Sequence, residues 1–133
     1  MKKGLGIHYL AELFGCDKSK IDDLALVEEA MIEATTLSGA RMIRPFFHRF
    51  NPQGITGVIV IAESHFAVHT WPEHGYAAVD LFSCSALNYR GALNHLRLQF
   101  GAARHSVSLI ERGILDGDFR KRRGGLKQVD IGT

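Results

Sequence analysis

Residues 62–75 read Ala-Glu-Ser-His-Phe-Ala-Val-His-Thr-Trp-Pro-Glu-His-Gly. This places Glu63, Ser64, His65, His69 and His74 among residues that otherwise look like two buried strands. A buried polar group needs a partner or costs free energy, so these side chains either satisfy one another or do chemistry. Ser64 has three readings. As a turn former it accepts backbone hydrogen bonds. As a hydrolase nucleophile it would need a base and an oxyanion site, and the Gly-x-Ser-x-Gly elbow is absent. As a self-modifying residue it attacks the carbonyl of Glu63, turning the amide into an ester, and elimination then leaves a pyruvoyl group. That third course requires a strained peptide, polar groups around the oxyanion and a base for the serine α-proton.

The other polar residues also carry two readings each. His69 follows Ser64 by five positions on the next strand, as a structural imidazole or as a base. A zinc site from His65, His69 and His74 is disfavoured, because residues four apart on a strand share a face but stand about 13 Å apart. Cys84 ends a strand just ahead of an expected helix start, either as a small packed hydrophobe or as an activated proton donor. Phe50 and Trp71 flank polar turns, as core aromatics or as platforms for a flat ligand ring.

The elements that must position these groups follow from periodicity. Gly6 to Phe14 alternates as a strand, and Asp22 or Asp23 caps a helix that runs to about Ser38 and stops at Gly39. Its expected apolar stripe is Leu24, Val27, Met31, Ala34 and Leu37. Arg41 to Phe50 is a strand interrupted at Pro45, hence irregular or at an edge. After a tight turn at Asn51-Pro52-Gln53-Gly54, the run Ile55 to Ala62 has the continuous apolar character of a buried strand. Phe66 to Trp71 and Tyr76 to Ser83 are two more strands. Leu87 to Phe100 is a helix capped by Ser85, and Ala103 to Glu111 is a last strand. The expected fold is α+β in the order β-α-β-β-β-β-α-β, a mainly antiparallel sheet with two helices on one face. All 133 residues form one domain, with 114–133 a flexible basic tail.

Charge narrows the partners. Between Pro45 and Tyr89 the only Lys or Arg is Arg49, against Glu63, Glu73 and Asp80, which suits a small cationic ligand. Five basic residues instead fall between Arg120 and Lys127, and a net charge of +2 gives no signal for nucleic acid. No apolar run is long enough for a membrane span, and no signal peptide precedes the first strand, so a cytoplasmic location is the expectation. Cys16 and Cys84 then read as free thiols.

The joint order of these features closely resembles the prokaryotic S-adenosylmethionine decarboxylases. The likeness is carried by His48-Arg49-Phe50-Asn51-Pro52-Gln53-Gly54-Ile55-Thr56-Gly57, Ala62-Glu63-Ser64-His65, His69 through Asp80, and Cys84, with Glu12-Leu13-Phe14-Gly15-Cys16-Asp17 at the start. The resemblance spans roughly residues 4 to 111. It implies self-cleavage between Glu63 and Ser64 into a β chain of residues 1–63 and an α chain of residues 64–133 that begins with pyruvoyl. It implies that His69 takes the serine α-proton, that Thr56 aids processing, and that Cys84 returns a proton to the product carbon. Phe50 is implied to stack on adenine and Glu73 to hold the ribose hydroxyls. The pyruvoyl group would form a Schiff base with the substrate amine, with no metal and no pyridoxal phosphate. The product would be the aminopropyl donor of polyamine (spermidine) biosynthesis, made by a homodimer with active sites near the subunit interface. The resemblance leaves two alternatives open: a pyruvoyl-dependent ornithine or arginine decarboxylase, and an uncleaved, non-enzymatic polyamine-binding or partner subunit.

Overall fold

The computed structural model describes residues 4–115 and 126–132. Among the described residues, seven strands and two helices follow one another as β1 (Gly6–Phe14), α1 (Leu24–Ser38), β2 (Met42–Arg49), β3 (Ile55–Ile61), β4 (Ser64–Trp71), β5 (Tyr76–Ser83), α2 (Tyr89–Gln99), β6 (Arg104–Arg112) and β7 (Lys127–Val129). A single 3-10 turn, Pro72–His74, joins β4 to β5. Every strand pair is antiparallel, in the order β2-β3-β4-β5-β1-β6-β7.

Local sequence sets the helix ends. Asp23 caps α1 by accepting from the Leu26 N–H at 3.2 Å, and Gly39 closes it with φ +82°, a conformation costly for any residue with a Cβ. Asp22 has a different task. Its carboxylate accepts from the Gly54 N–H at 2.9 Å and from Arg49 at 2.6 Å, which ties the turn after β2 to the entry of α1. The cap of α2 is Asn88, accepting from the Gly91 N–H, rather than Ser85, so this helix begins two residues later than its periodicity suggests. Met42 to Arg49 is the edge strand expected from Pro45, with a register shift between Met42 and Arg44.

The two helices pack on each other and cover one face of the sheet. That face supplies Tyr9, Ala11, Leu13, Ile55, Ile59, Phe66, Val68, Val79 and Leu81 to the core, which Val27, Met31, Leu93 and Leu96 close from the helices. From the expected α1 stripe, Leu37 is instead 48% exposed, and Ala30, Thr35 and Ser38 turn inward. The opposite face stays open. Most residues of β1, β3, β4 and β5 that alternate with the core set remain partly or fully accessible, Val60 at 44% among them, while Gly6 and Ala67 are buried. The apolar run of β3 therefore does not mark a strand buried on both sides within one chain.

One expectation about the C-terminal end needs correction. Lys127–Val129 pairs with β6, and Ile131 is buried in the core, so the segment after Gly113 carries an element that its lack of periodicity concealed. A three-residue edge strand is too short to show alternation. The basic residues from Arg120 to Arg123 lie outside the described residues.

Candidate active site

Strand β3 turns into β4 through only two residues, Ala62 and Glu63, with Ile61 opposite Ser64. Two-residue hairpin loops normally use positive φ at their central positions, because that twist matches the strands. Neither Ala62 nor Glu63 does so. The only non-glycine residue with positive φ among the described residues is Ser64, at +150°. The distortion demanded by the tight turn thus falls on the residue that follows the Glu63–Ser64 peptide bond, in a region costing on the order of 1–3 kcal/mol.

The carbonyl of that bond is already held. The Cys84 N–H donates to the Glu63 carbonyl oxygen at 3.0 Å, and the Glu63 carboxylate accepts from the Arg41 N–H at 3.2 Å. A donor aimed at this oxygen polarises the carbonyl toward attack and stabilises the charge that develops on it. Ser83 pairs with Ser64 across β5 and is buried. Beside it opens a cavity of about 520 Å³ whose lining includes Ile7, Tyr9, Ser83, Cys84, Leu87 and Tyr89. Cys84 is exposed and sits in the bend after β5, five residues before the first residue of α2. The helix-start argument for an activated thiol therefore does not apply. What places Cys84 at the site is its backbone bond to Glu63.

A second group forms at the other end of the same strands. Thr56 faces His69 across the β3–β4 ladder, and the Thr56 hydroxyl lies 3.0 Å from His69 Nδ1. Both line a cavity of about 220 Å³ together with Phe50, Gln53, Trp71 and Glu73. Phe50 is 47% exposed and its ring meets His48 edge-on at 4.6 Å. Asp22 fixes this cavity's rim through its bonds to Gly54 and Arg49. Those same two bonds, Gly54 first, hold the Asp22 carboxyl below the usual carboxylate range. Beyond Trp71, Tyr76 donates its hydroxyl to Glu12, and burial, with Glu12 adding to it, pushes the Tyr76 phenol up to about 12.

The structure therefore brings the expected site residues together in two sets rather than one. Glu63, Ser64 and Cys84 are adjacent, and Phe50, Thr56, His69 and Glu73 share a cavity. Five residues of extended strand separate Ser64 from His69, roughly 16 Å along β4. The sequence places them close; the strand keeps them apart.

The histidines sort differently from their spacing. His65, His69 and His74 form no common cluster. His65 Nε2 instead lies 2.9 Å from Asp80 Oδ2, and His8 Nε2 lies 2.8 Å from the same oxygen. No sequence signal joins His8 to this group, because the link runs across three strands and 72 positions. None of the described helices is long and apolar enough to cross a membrane.

Comparison with known proteins agrees with this architecture. The family model of S-adenosylmethionine decarboxylase matches residues 7–113. The S-adenosylmethionine decarboxylase proenzyme of Pelotomaculum thermopropionicum is 45% identical over 125 residues, 93% of this chain and 99% of that protein. The corresponding proenzyme of Moorella thermoacetica is 46% identical over 115 residues, 86% of this chain and 92% of its own length. The crystal structure of the adenosylmethionine decarboxylase of Aquifex aeolicus superposes with a TM-score of 0.78 at 36% identity, covering 87% of this chain and 97% of that one. A Trypanosoma brucei AdoMetDC monomer, at 18% identity and a TM-score of 0.60, shares the fold over 77% of this chain and 45% of its own. On these matches the chain belongs to the S-adenosylmethionine decarboxylase family.

Proposed function

We propose that the chain cleaves itself between Glu63 and Ser64 and then decarboxylates S-adenosylmethionine. The observation that carries this reading is the Glu63–Ser64 peptide, with backbone strain at Ser64 and a preset donor, the Cys84 N–H, on the Glu63 carbonyl. Ser64 Oγ adds to that carbonyl carbon, the C–N bond breaks, and the chain passes from amide to ester while the serine nitrogen takes a proton. Such an acyl shift is uphill for a relaxed peptide, and strain at residue 64 lowers the climb. A base then removes the α-proton of residue 64, and the main-chain carboxylate of Glu63, now the C-terminus of residues 1–63, leaves from Cβ. Water replaces the nitrogen as ammonia, which leaves a pyruvoyl group at the head of residues 64–133.

Residue 64 would then begin a chain beside the 520 Å³ cavity, with room for a substrate at its new terminus. A pyruvoyl carbonyl there supplies an electron sink for the pair released with carbon dioxide, so pyridoxal phosphate has no task. Cys84, exposed at the same edge, is the group for returning a proton to the product carbon. Phe50 and Glu73 share the other cavity, an aromatic face beside a carboxylate, which matches an adenine ring and ribose hydroxyls. The ammonium of ornithine or the guanidinium of arginine could meet that aromatic face, but neither brings ribose hydroxyls for Glu73.

His69 is the imidazole for the α-proton, with Thr56 orienting its ring, yet it stands at the wrong end of its own strand. A second copy resolves this. A two-fold axis lying along the open face and crossing β4 near its middle would bring His69 of each chain to Ser64 of the other. It would also cover Val60, which one chain leaves exposed, and the half-buried Val58. On this reading each active site takes Ser64 and Cys84 from one chain, and Phe50, Thr56, His69 and Glu73 from the other.

Intact-mass measurement of purified protein tests the cleavage, and carbon dioxide release from S-adenosylmethionine, ornithine and arginine in parallel tests the substrate. Two fragments, one ending at Glu63 and one beginning with pyruvoyl, together with release from S-adenosylmethionine, agree with the proposal. A single full-length chain would point to the non-enzymatic binding subunit.

A further inference from the structure

We propose that His8, Asp80 and His65 form a binding site for one divalent transition-metal ion on the open face of the sheet. The three residues come from adjacent strands, β1, β5 and β4. His8 and His65 both stand opposite Phe82, and Asp80 lies two residues from Phe82 on the same face. The register thus converges three side chains that the sequence scatters over 72 positions. Their ligand atoms, one from each residue, all lie within 4.8 Å of one another. Each imidazole Nε2 is already within 2.9 Å of the same Asp80 oxygen.

Two of the three ligand separations in this cluster are close to those of a metal centre, and the third, between the imidazole nitrogens, is within 4.8 Å. Four ligands about 2.0–2.1 Å from a tetrahedral ion stand roughly 3.3 Å from one another, so each nitrogen–oxygen separation changes by about half an ångström. When both imidazoles are neutral, their Nε2–H groups donate to Asp80. Binding moves each proton to Nδ1 and turns the Nε2 lone pair toward the ion, with no net proton lost. Two imidazoles and one carboxylate suit zinc, cobalt or nickel, and a set this rich in nitrogen does not suit magnesium or calcium.

The surroundings fit an open site. The His8, Asp80 and His65 side chains are 18%, 24% and 36% exposed, so an ion can reach them and water or a group of a second copy can complete its shell. Phe82 packs against both rings, with centroids at 5.4 and 5.9 Å, and limits their rotation. An ion held here would staple β1, β5 and β4 together immediately beside Ser64. No residue of the processing or substrate groups of the same chain is a ligand.

Cobalt and zinc titrations of chelator-treated protein test the assignment. The expected result is one zinc per chain by calorimetry. Cobalt should give a four- or five-coordinate visible spectrum without a thiolate charge-transfer band. His8→Gln and His65→Gln should each weaken zinc binding more than about tenfold, while His74→Gln leaves it unchanged. Should one glutamine variant fold poorly by circular dichroism, the other carries the comparison, and anomalous scattering at the zinc edge locates the ion directly. A stoichiometry well below one, glutamine variants that bind as the parent does, or a thiolate band reporting capture by Cys84 would overturn the proposal.

Discussion

Removing the Thr56 hydroxyl while keeping its shape isolates what the Thr56–His69 contact contributes. In Thr56→Val the β-branched side chain still fills its half-buried place in β3, and His69 loses the oxygen that lies 3.0 Å from Nδ1. A hydrogen bond of this kind has a net worth of about 0.5–1.5 kcal/mol, which corresponds to a slowing of about two- to thirteen-fold if it is expressed wholly in the elimination step. Deleting the imidazole is a larger perturbation. Loss of a general base costs about 10²- to 10⁴-fold, so His69→Ala should stall after the acyl shift and accumulate the ester. The assay is a time course of intact mass after expression, with hydroxylamine added to cleave trapped ester. Thr56→Ser should process near the parent rate, Thr56→Val about two- to thirteen-fold more slowly, and His69→Ala should show ester only. If Thr56→Val processes as the parent does, the hydroxyl has no orienting role. If it stalls as completely as His69→Ala, Thr56 is acting on the reacting atoms rather than through His69.

Three further outcomes follow from the geometry. Neither Ser64→Ala nor Ser64→Gly should cleave. Thermal melts should show the glycine variant more stable than the alanine by about 1 kcal/mol, because only glycine relaxes at φ +150°. Phe50→Ala should raise KM for S-adenosylmethionine by roughly ten-fold or more while processing proceeds, the loss expected of a base-stacking aromatic, and unchanged KM would remove Phe50 from the substrate site. Asp22→Asn should weaken the turn that carries Phe50. Since the folded Asp22 carboxyl titrates below its unfolded value, its contribution is present above the unfolded pKa and is lost as pH falls through the folded one. Urea melts of parent and variant should therefore differ at neutral pH and converge in acid, and a constant gap would contradict this.

The sequence carried most of the fold and the identity of the site residues, but not their arrangement. Alternation located β1 and β5 to the residue, and Asp23 and Gly39 are local signals that set the ends of α1 without tertiary help. The start of α2 is not legible in the sequence, because Ser85 and Asn88 are both competent caps and only the surrounding fold decides between them. β7 was missed for want of length. The site residues were recognisable by type and order. Their division into two ends of the sheet was not, because proximity in sequence along an extended strand means separation in space, and five positions from Ser64 to His69 span the distance a helix would fold away. The His8–Asp80–His65 cluster is the converse case, since its contacts exist only through strand register.

The central claim is that a chain cannot finish its own cleavage and takes His69 from a second copy. Co-expression of Ser64→Ala with His69→Ala tests it most directly, since neither variant alone should yield a pyruvoyl fragment. In mixed dimers the Ser64→Ala chain supplies His69 to Ser64 of its companion. About half of the His69→Ala chains should then be cut at a 1:1 ratio with random pairing, giving a fragment that begins with pyruvoyl and carries the His69→Ala substitution in its mass. If both chains pair yet neither gives that fragment by mass, processing takes place within one chain and the two-copy site is wrong.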